Sequence, residues 1–223
     1  MRKRTVLVAC VLCAGVVWAQ VAEKANSGYK TAEGRERVMR NLTAADRDAR
    51  QKPQELVENM NLRAGMVVAD IGTGAGYMLP FLSRAVGTGG RVIAQDIQDD
   101  FLEKAAAKAE REKLANVTFL KGTESDPKLP EHGVDVALAL DSYHHYDYPD
   151  KMLAGIRKGL RPGGRLVIVE YYKRPGAMAG GNAMEHIRLD EADVIKEIEA
   201  NGFRLVSKRE HIQDSQYMAV FER

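Results

Sequence analysis

The sequence predicts an α/β fold, a mostly parallel sheet doubly wound by helices on both faces. Five short apolar runs are rich in Val, Ile and Leu and lack polar alternation, which is typical of strands buried on both faces of a parallel sheet. Helix-forming stretches lie between several of these runs, so we expect right-handed crossovers. The predicted strands are 66–71, 91–94, 117–120, 134–140 and 165–169, and the predicted helices are 78–86, 101–113 and 151–160.

The C-terminal part departs from this alternation. Asp190 is a suitable N-cap for a helix that runs to Asn201 and stops at Gly202. Two strand-like segments follow, 203–211 and 216–222. Because so short a link cannot hold a parallel crossover, the pair is predicted to be an antiparallel hairpin.

The length of 223 residues suits one domain, and the composition (45% apolar, 29% charged) is that of an ordinary globular protein. Residues 20–52 are polar and weakly helical, with arginines interleaved with acids. We interpret these charges as a solvated face rather than an anion site. The predicted division is a leader over 1–19, a helical N-terminal extension over 20–52, and a main α/β domain over 53–223 that begins with a short helix at Pro53.

The first 19 residues have the order of a secretory signal peptide. A basic start at residues 2–4 precedes an apolar run, and the run ends at Ala19. We expect cleavage there and export, to a bacterial periplasm, with a retained membrane anchor as the alternative. A lipoprotein box at Cys10 is disfavoured, because the apolar stretch before it is too short.

Cleavage would change the chemistry available to the chain. Both cysteines, Cys10 and Cys13, would leave with the leader, and three basic residues with them. The mature net charge would be about −1, which gives no electrostatic footprint for nucleic acid. We therefore expect no nucleic-acid partner, no stable membrane insertion after cleavage, and a monomer.

A glycine-rich turn stands where the first predicted strand meets a helix. Residues 67–76 read V-V-A-D-I-G-T-G-A-G. Glycines at such a turn allow positive φ and close approach of a ligand to the backbone, and the helix start offers unpaired N–H groups. Asp96 closes the second strand and is placed to accept the hydroxyls of a ribose.

The spacing argues against a dinucleotide dehydrogenase. Its G-x-G-x-x-G fingerprint requires glycine at 77 or at 79, where this chain has Tyr77 and Leu79. The chain also lacks the G-x-x-x-x-G-K-[ST] loop of NTPases.

The pattern resembles the class I S-adenosylmethionine-dependent methyltransferases over about residues 51–223. The D-I-G-T-G-A-G run is similar to the family's first motif, and 135–141 and 160–166 resemble the family's fourth strand and the turn into its fifth. The terminal hairpin matches the family's antiparallel seventh strand. The resemblance implies a seven-stranded sheet of order 3-2-1-4-5-7-6, S-adenosyl-L-methionine as cofactor, and the cofactor-binding residues Asp70, Gly72, Gly74, Gly76, Asp96, Glu124 and Asp141.

One of these assignments departs from the family's pattern. Many relatives place an acid directly after the glycine that ends the third strand, whereas Gly122 is followed here by Thr123 and then Glu124. Either Glu124 binds the adenine amino group or backbone atoms do.

Candidates near the methyl acceptor follow the fourth strand, where ligands bind in open α/β sheets. We predict His144, His145 and Tyr143 as catalytic, with one histidine as general base, because an imidazole titrates near neutral pH. The alternative is that one histidine packs under the cofactor and the other binds a loop. The D-P-P-Y type motif of nucleic-acid amino-methyltransferases is missing at 141–144, which disfavours a base as acceptor.

A second group of polar residues follows the fifth strand. Glu170, Tyr171 and Tyr172, with Glu185 and His186 beyond a Gly- and Ala-rich loop, are candidates for the acceptor pocket. Their spacing is irregular, so no metal site is predicted. We expect a methyltransferase for a small molecule. The alternatives are a non-catalytic nucleoside-binding module or a nicotinamide-dependent oxidoreductase.

Overall fold

A computed structural model describes residues 20–223. The predicted leader and its two cysteines lie outside the described residues. In the part of the chain that is described, every helix is too short or too polar to cross a membrane.

Seven strands form one sheet in the order β3-β2-β1-β4-β5-β7-β6, which confirms the expected order. The first five strands run parallel, and β7 is antiparallel to both of its neighbours. The strands are β1 (Val67–Ile71), β2 (Arg91–Asp96), β3 (Val117–Lys121), β4 (Val134–Leu140), β5 (Leu160–Tyr171), β6 (Arg204–Ile212) and β7 (Gln216–Glu222).

Helices connect β1 to β2, β2 to β3 and β4 to β5, whereas residues 122–133 link β3 to β4 without a helix. The helices pack on both faces of the sheet and bury one apolar cluster on each side. The strand β4 is central, and its residues are buried or nearly so along its whole length. The helices are α1 (Ala32–Leu42), α2 (Arg47–Gln51), α3 (Pro53–Asn59), α4 (Leu79–Val86), α5 (Asp99–Arg111), α6 (Pro149–Gly159), α7 (Ala183–His186) and α8 (Glu191–Ala200).

The C-terminal hairpin forms as predicted. The carboxylate of Asp190 accepts a hydrogen bond from Asp193 N at 3.0 Å and caps α8. The strands β6 and β7 then pair antiparallel from Arg204–Glu222 to Ile212–Gln216. The hairpin brings Gln216 to the edge of the sheet where β4 and β5 also end.

One expectation about the sheet is wrong. The β3 run was predicted to be buried on both faces, but three of its five residues are exposed, and Phe119 is 39% exposed. Within residues 20–223 the strand lies at an edge of the sheet and pairs with β2 alone. Its apolar side chains therefore lack the second layer that covers the central strands.

The N-terminal extension folds back over the carboxyl ends of the strands. A short 3-10 helix, Ala25–Tyr29, is followed by α1 and α2. The backbone of Ala22 donates to Asp147 Oδ1 at 3.2 Å, and Arg35 Nε donates to Asp100 Oδ2 at 2.7 Å. These hydrogen bonds hold the extension against the domain, so the extension is part of the folded structure.

Candidate functional site

A cavity opens where the carboxyl ends of β1, β2 and β4 meet beneath the extension. The domain contributes the glycine turn, the end of β2 and the segment after β4. The extension contributes Asn26, Tyr29, Leu42 and Arg47 to the lining. The cavity is therefore built by both parts of the chain.

The glycine turn after β1 needs residues without side chains. Gly72 has φ +74°, and a Cβ at that position would lie 2.8 Å from Ser142 Cβ. Ser142 cannot easily move, because its hydroxyl donates to Ile71 O at 2.8 Å. Gly74 also has positive φ, and both glycines line the cavity.

The carboxyl group of Asp96 holds the glycine turn in place by hydrogen bonds. Its Oδ2 accepts from Gly74 N at 2.9 Å, and its Oδ1 accepts from Gln98 N at 2.9 Å. Burial raises the pKa of Asp96, while the backbone N–H groups of Gln98 and Gly74 oppose the shift. The structure thus holds a buried carboxylate at the cavity wall, where the sequence predicted a ribose acceptor.

Asp70 and Gly76 support the turn from outside the lining. Asp70 Oδ2 accepts from Thr73 Oγ1 at 2.7 Å, and burial raises the pKa of Asp70 to about 6. A Cβ at Gly76 would lie 2.7 Å from Leu79 Cδ1 and 3.2 Å from Ala105, so this glycine allows the turn to pack on α5. Both residues position the turn and lie outside the cavity lining, and their contact with the cofactor stays a prediction.

Asp141 lines the cavity at the end of β4. Its Oδ1 accepts from Gln216 Nε2 at 2.7 Å, and its Oδ2 accepts from Gln51 Nε2. Burial raises the pKa of Asp141, the carboxylate of Glu170 raises it further, and Arg47 opposes the shift. The sequence analysis missed both glutamines, since one comes from the extension and the other from β7.

Arg47 contradicts the solvated face that was predicted for the extension. It is only 9% exposed, its guanidinium lies 4.0 Å over the ring of Tyr77, and its Nη1 donates to Leu42 O at 2.8 Å. Among the described residues that line the cavity, Arg47 is the one lysine or arginine. Arg47 therefore places a positive charge in the cavity lining, which also contains the carboxyl groups of Asp96 and Asp141.

Glu124 also lines the cavity, beside Thr123. It is exposed, and its Oε2 accepts from Gln20 Nε2 at 3.4 Å. Its role toward adenine stays a prediction.

The three residues predicted as catalytic separate in the structure. His145 lines the cavity, whereas His144 is buried behind it. Tyr143 is buried, and its hydroxyl donates to Glu197 at 2.6 Å, outside the cavity lining. A catalytic role for Tyr143 therefore has no support in the geometry, because its 3-10 helix turns the ring into the core.

The hydrogen bonds of His145 fix which ring nitrogen carries a proton. Asn26 Nδ2 donates to His145 O and to Asp147 Oδ2, each at 3.0 Å, so Asn26 Oδ1 is left as an acceptor. That oxygen lies 2.9 Å from His145 Nδ1, which is therefore the donor. His145 Nε2 then presents a lone pair, 3.3 Å from the hydroxyl of Tyr29. Burial lowers the pKa of His145 well below its usual value, and His144 and His186 lower it further, so the ring is neutral.

The residues after β5 contribute unequally. Glu170 is 1% exposed, and its Oε2 accepts from the backbone N and ring Nδ1 of His144 at 3.1 and 2.7 Å. His186, at the end of α7, places its Nε2 3.1 Å from His144 Nε2. Tyr171, Tyr172 and Glu185 do not line the cavity described here.

Comparison with known proteins agrees with this geometry. Residues 68–164 match a family model described as a methyltransferase domain. A ubiquinone/menaquinone biosynthesis C-methyltransferase, UbiE, of Marinomonas sp. is 32% identical over 123 residues, which are 52% of this chain and 47% of the relative. An S-adenosyl-L-methionine-dependent Diels-Alderase, iccD, of Talaromyces variabilis is 31% identical and covers 60% of this chain and 46% of its own. The chain thus spans about half the length of these curated relatives.

One solved structure is matched over almost its whole length. The SAM-dependent methyltransferase from Aquifex aeolicus superposes with a TM-score of 0.78 at 27% identity, covering 83% of this chain and 97% of that one. The sheet order, the glycine turn and the acid on β2 define a class I methyltransferase fold. Residues 68–164 are therefore similar to methyltransferase domains, and the described chain has the fold of the class I S-adenosylmethionine-dependent methyltransferases.

Proposed function

We propose that this protein transfers the methyl group of S-adenosylmethionine to a small-molecule acceptor. The observation that carries the proposal is the polarity of the cavity. A buried carboxylate, Asp96, lies beside the bare backbone of the glycine turn, and a buried guanidinium, Arg47, lines the same cavity. In a nucleoside that carries an amino acid, the ribose hydroxyls would bind the carboxylate of Asp96 and the amino acid carboxylate would bind the guanidinium of Arg47.

The residues present fit this cofactor. The two oxygens of Asp96 would accept the ribose hydroxyls while they hold the turn, and the guanidinium of Arg47 suits the carboxylate of the methionine portion. Glycine at 72 and 74 leaves room for backbone contact. The remaining acids in the lining are Glu124, Asp141 and Asp147. Asp147 already accepts from Ala22 N and Asn26 Nδ2, so we assign the amino groups to Asp141 and Glu124.

When bound, the cofactor supplies an electrophilic methyl group on a positively charged sulfur. The protein's part is to hold an acceptor in line with it and keep water away, which can contribute several kcal/mol. His145 is the residue with a lone pair at the cavity wall, so it is the base that we assign to an acceptor that must lose a proton. His144 is one layer deeper and would act only through its neighbours.

A small acceptor is supported by the cover over the cavity. The extension packs Tyr29 against Phe101 and His145, with ring centroids 6.0 and 4.8 Å away. Such a wall suits a compact organic molecule rather than a polymer. The UbiE relatives are named for C-methylation in quinone biosynthesis, which is also a small-molecule reaction.

The test is a titration followed by an activity measurement. In calorimetry of the purified protein, S-adenosylmethionine and S-adenosylhomocysteine are expected to bind with one site each, and NAD is expected not to bind. Because one relative is named a Diels-Alderase, methyl transfer from labelled cofactor into small-molecule pools is measured separately. Binding without transfer to any pool would favour the binding-module alternative, and binding of NAD alone would favour the oxidoreductase.

We also propose that the chain is exported and cleaved after Ala19. The basic start and the apolar run support this proposal. Protein recovered from its host is expected to begin at Gln20 and to fractionate outside the cytosol. N-terminal sequencing that finds residues 1–19 intact would contradict cleavage and favour the anchor.

A further inference from the structure

Three histidines from two segments meet beside the cavity wall. His144 and His145 come from the 3-10 helix after β4, and His186 comes from α7. Their ring centroids are 4.0 to 5.4 Å apart, and one nitrogen of each lies within 4.8 Å of the others. No proton shuttle between them is needed for the function proposed above, so the cluster calls for its own explanation.

The spacing of the nitrogens suits a metal ion. Zn²⁺–N bonds of about 2.0–2.1 Å in a tetrahedron place two ligand nitrogens roughly 3.3 Å apart. The Nε2 atoms of His144 and His186 are 3.1 Å apart. A ring nitrogen of His145 lies within 4.8 Å of the other two, so His145 would have to move closer to complete three ligands.

The outer contacts of the cluster are those of a metal site. Histidine ligands usually donate their second N–H to a carboxylate or carbonyl oxygen, which fixes the ring. His144 Nδ1 lies 2.7 Å from Glu170 Oε2, and His145 Nδ1 donates to Asn26 Oδ1 at 2.9 Å. Both rings therefore have a lone pair on Nε2, and a metal would replace the present contacts of these atoms with the Tyr29 hydroxyl and with His186 Nε2. His186 is half-buried and can carry its proton on Nδ1 instead.

The charges around the cluster are compatible with a cation. Glu170 is a buried acid in direct contact with His144. The nearby guanidinium of Arg188 is paired with the carboxylate of Glu197, its Nη1 donating to Oε2 at 2.9 Å. Three imidazoles favour Zn²⁺, Co²⁺, Ni²⁺ or Cu²⁺ over Mg²⁺ or Ca²⁺.

We propose that His144, His145 and His186 bind a divalent transition metal ion such as Zn²⁺, with Glu170 and Asn26 orienting two of the rings. Three protein ligands leave a fourth position open, as in catalytic zinc sites. Because His145 lines the cavity, this position would be available to the acceptor. Its use by an acceptor O–H or S–H group rests on the proposed methyltransferase function, whereas the metal site does not. In the metal-bound state His145 would be a ligand rather than a base, and the metal would lower the pKa of a bound acceptor O–H or S–H group so that its proton passes to solvent.

The experiment is calorimetric titration of chelator-treated protein with Zn²⁺, together with the visible spectrum of the Co²⁺-loaded protein. Wild type is expected to bind one Zn²⁺ and to give the intense bands of low-coordinate Co²⁺. His186→Ala removes a half-buried ligand and is expected to lose more than the roughly 10–100-fold in affinity that an outer contact costs. Glu170→Gln is expected to lose about 10–100-fold.

The matched control is His132→Ala, which removes an exposed imidazole outside the cluster. It is expected to bind Zn²⁺ like wild type. Absence of one-to-one binding by wild type, or equal affinity of His186→Ala and wild type, would overturn the metal site. S-adenosylhomocysteine binding is measured on the same samples. If the protein binds the cofactor but not the metal, this inference alone is overturned. If it binds the metal but not the cofactor, only the proposed function is overturned.

Discussion

Asp96→Ala is expected to weaken S-adenosylhomocysteine binding by about ten- to a hundredfold. Loss of hydrogen bonds to a charged acceptor costs about 1.5–3 kcal/mol, and each 1.4 kcal/mol is about tenfold. Two losses combine, because the same carboxylate also holds Gly74 N and Gln98 N. Adenosine, which retains the ribose, is expected to lose affinity as well.

The control for Asp96 is Asp99→Ala. Asp99 begins α5 and is exposed, where it pairs with Lys121. This variant is expected to bind both ligands like wild type. Unchanged calorimetric affinity in a folded Asp96→Ala protein would remove Asp96 from the cofactor site.

Arg47→Met is expected to weaken S-adenosylhomocysteine binding by a similar factor and to leave adenosine binding unchanged. Methionine keeps an apolar stem against Tyr77 but cannot donate to a carboxylate. Adenosine lacks the amino acid portion, so the difference between the two ligands isolates that contact. The measurement is calorimetry of both ligands, with thermal unfolding as a check on folding.

Arg50→Met is the matched control for Arg47. Arg50 is on the same short helix, but its guanidinium is exposed and pairs with Asp46 at 3.0 Å. Equal loss of both ligands in Arg47→Met would show a general collapse of the extension instead of a carboxylate contact. Equal affinity of Arg47→Met and wild type for S-adenosylhomocysteine would remove Arg47 from the site.

The core of the fold was predictable because local signals and the tertiary structure agree there. The β4 strand was predicted with its exact bounds, since a central strand is apolar on both faces. Asp190 and Gly202 marked the ends of α8 by side-chain and backbone preferences alone. The burial predicted for β3 was wrong, because the composition of this strand does not indicate that it lies at an edge of the sheet.

The cavity lining at the glycine turn and at Asp96 follows a local sequence pattern, whereas the contacts around the segment after β4 do not. Gly72, Gly74 and Asp96 act within one strand–turn–helix unit and its neighbouring strand, so their spacing in the chain carries information. Gln51, Asn26 and His186 reach the site from remote segments, which no local pattern reveals. Arg47 was assigned to solvent, because a charge in a polar helix carries no mark of what covers it.

The extension that walls the cavity also decides how a ligand comes and goes. Because Asn26, Tyr29, Leu42 and Arg47 all line the cavity, a ligand beneath them would contact this segment and would leave more easily when the segment lifts. Residence time would then depend on the opening rate of the extension, and a ligand in place would in turn hold the extension down. Substitutions on the outer surface of α1, far from any ligand, could therefore change turnover through product release while the affinity of the open protein stays the same.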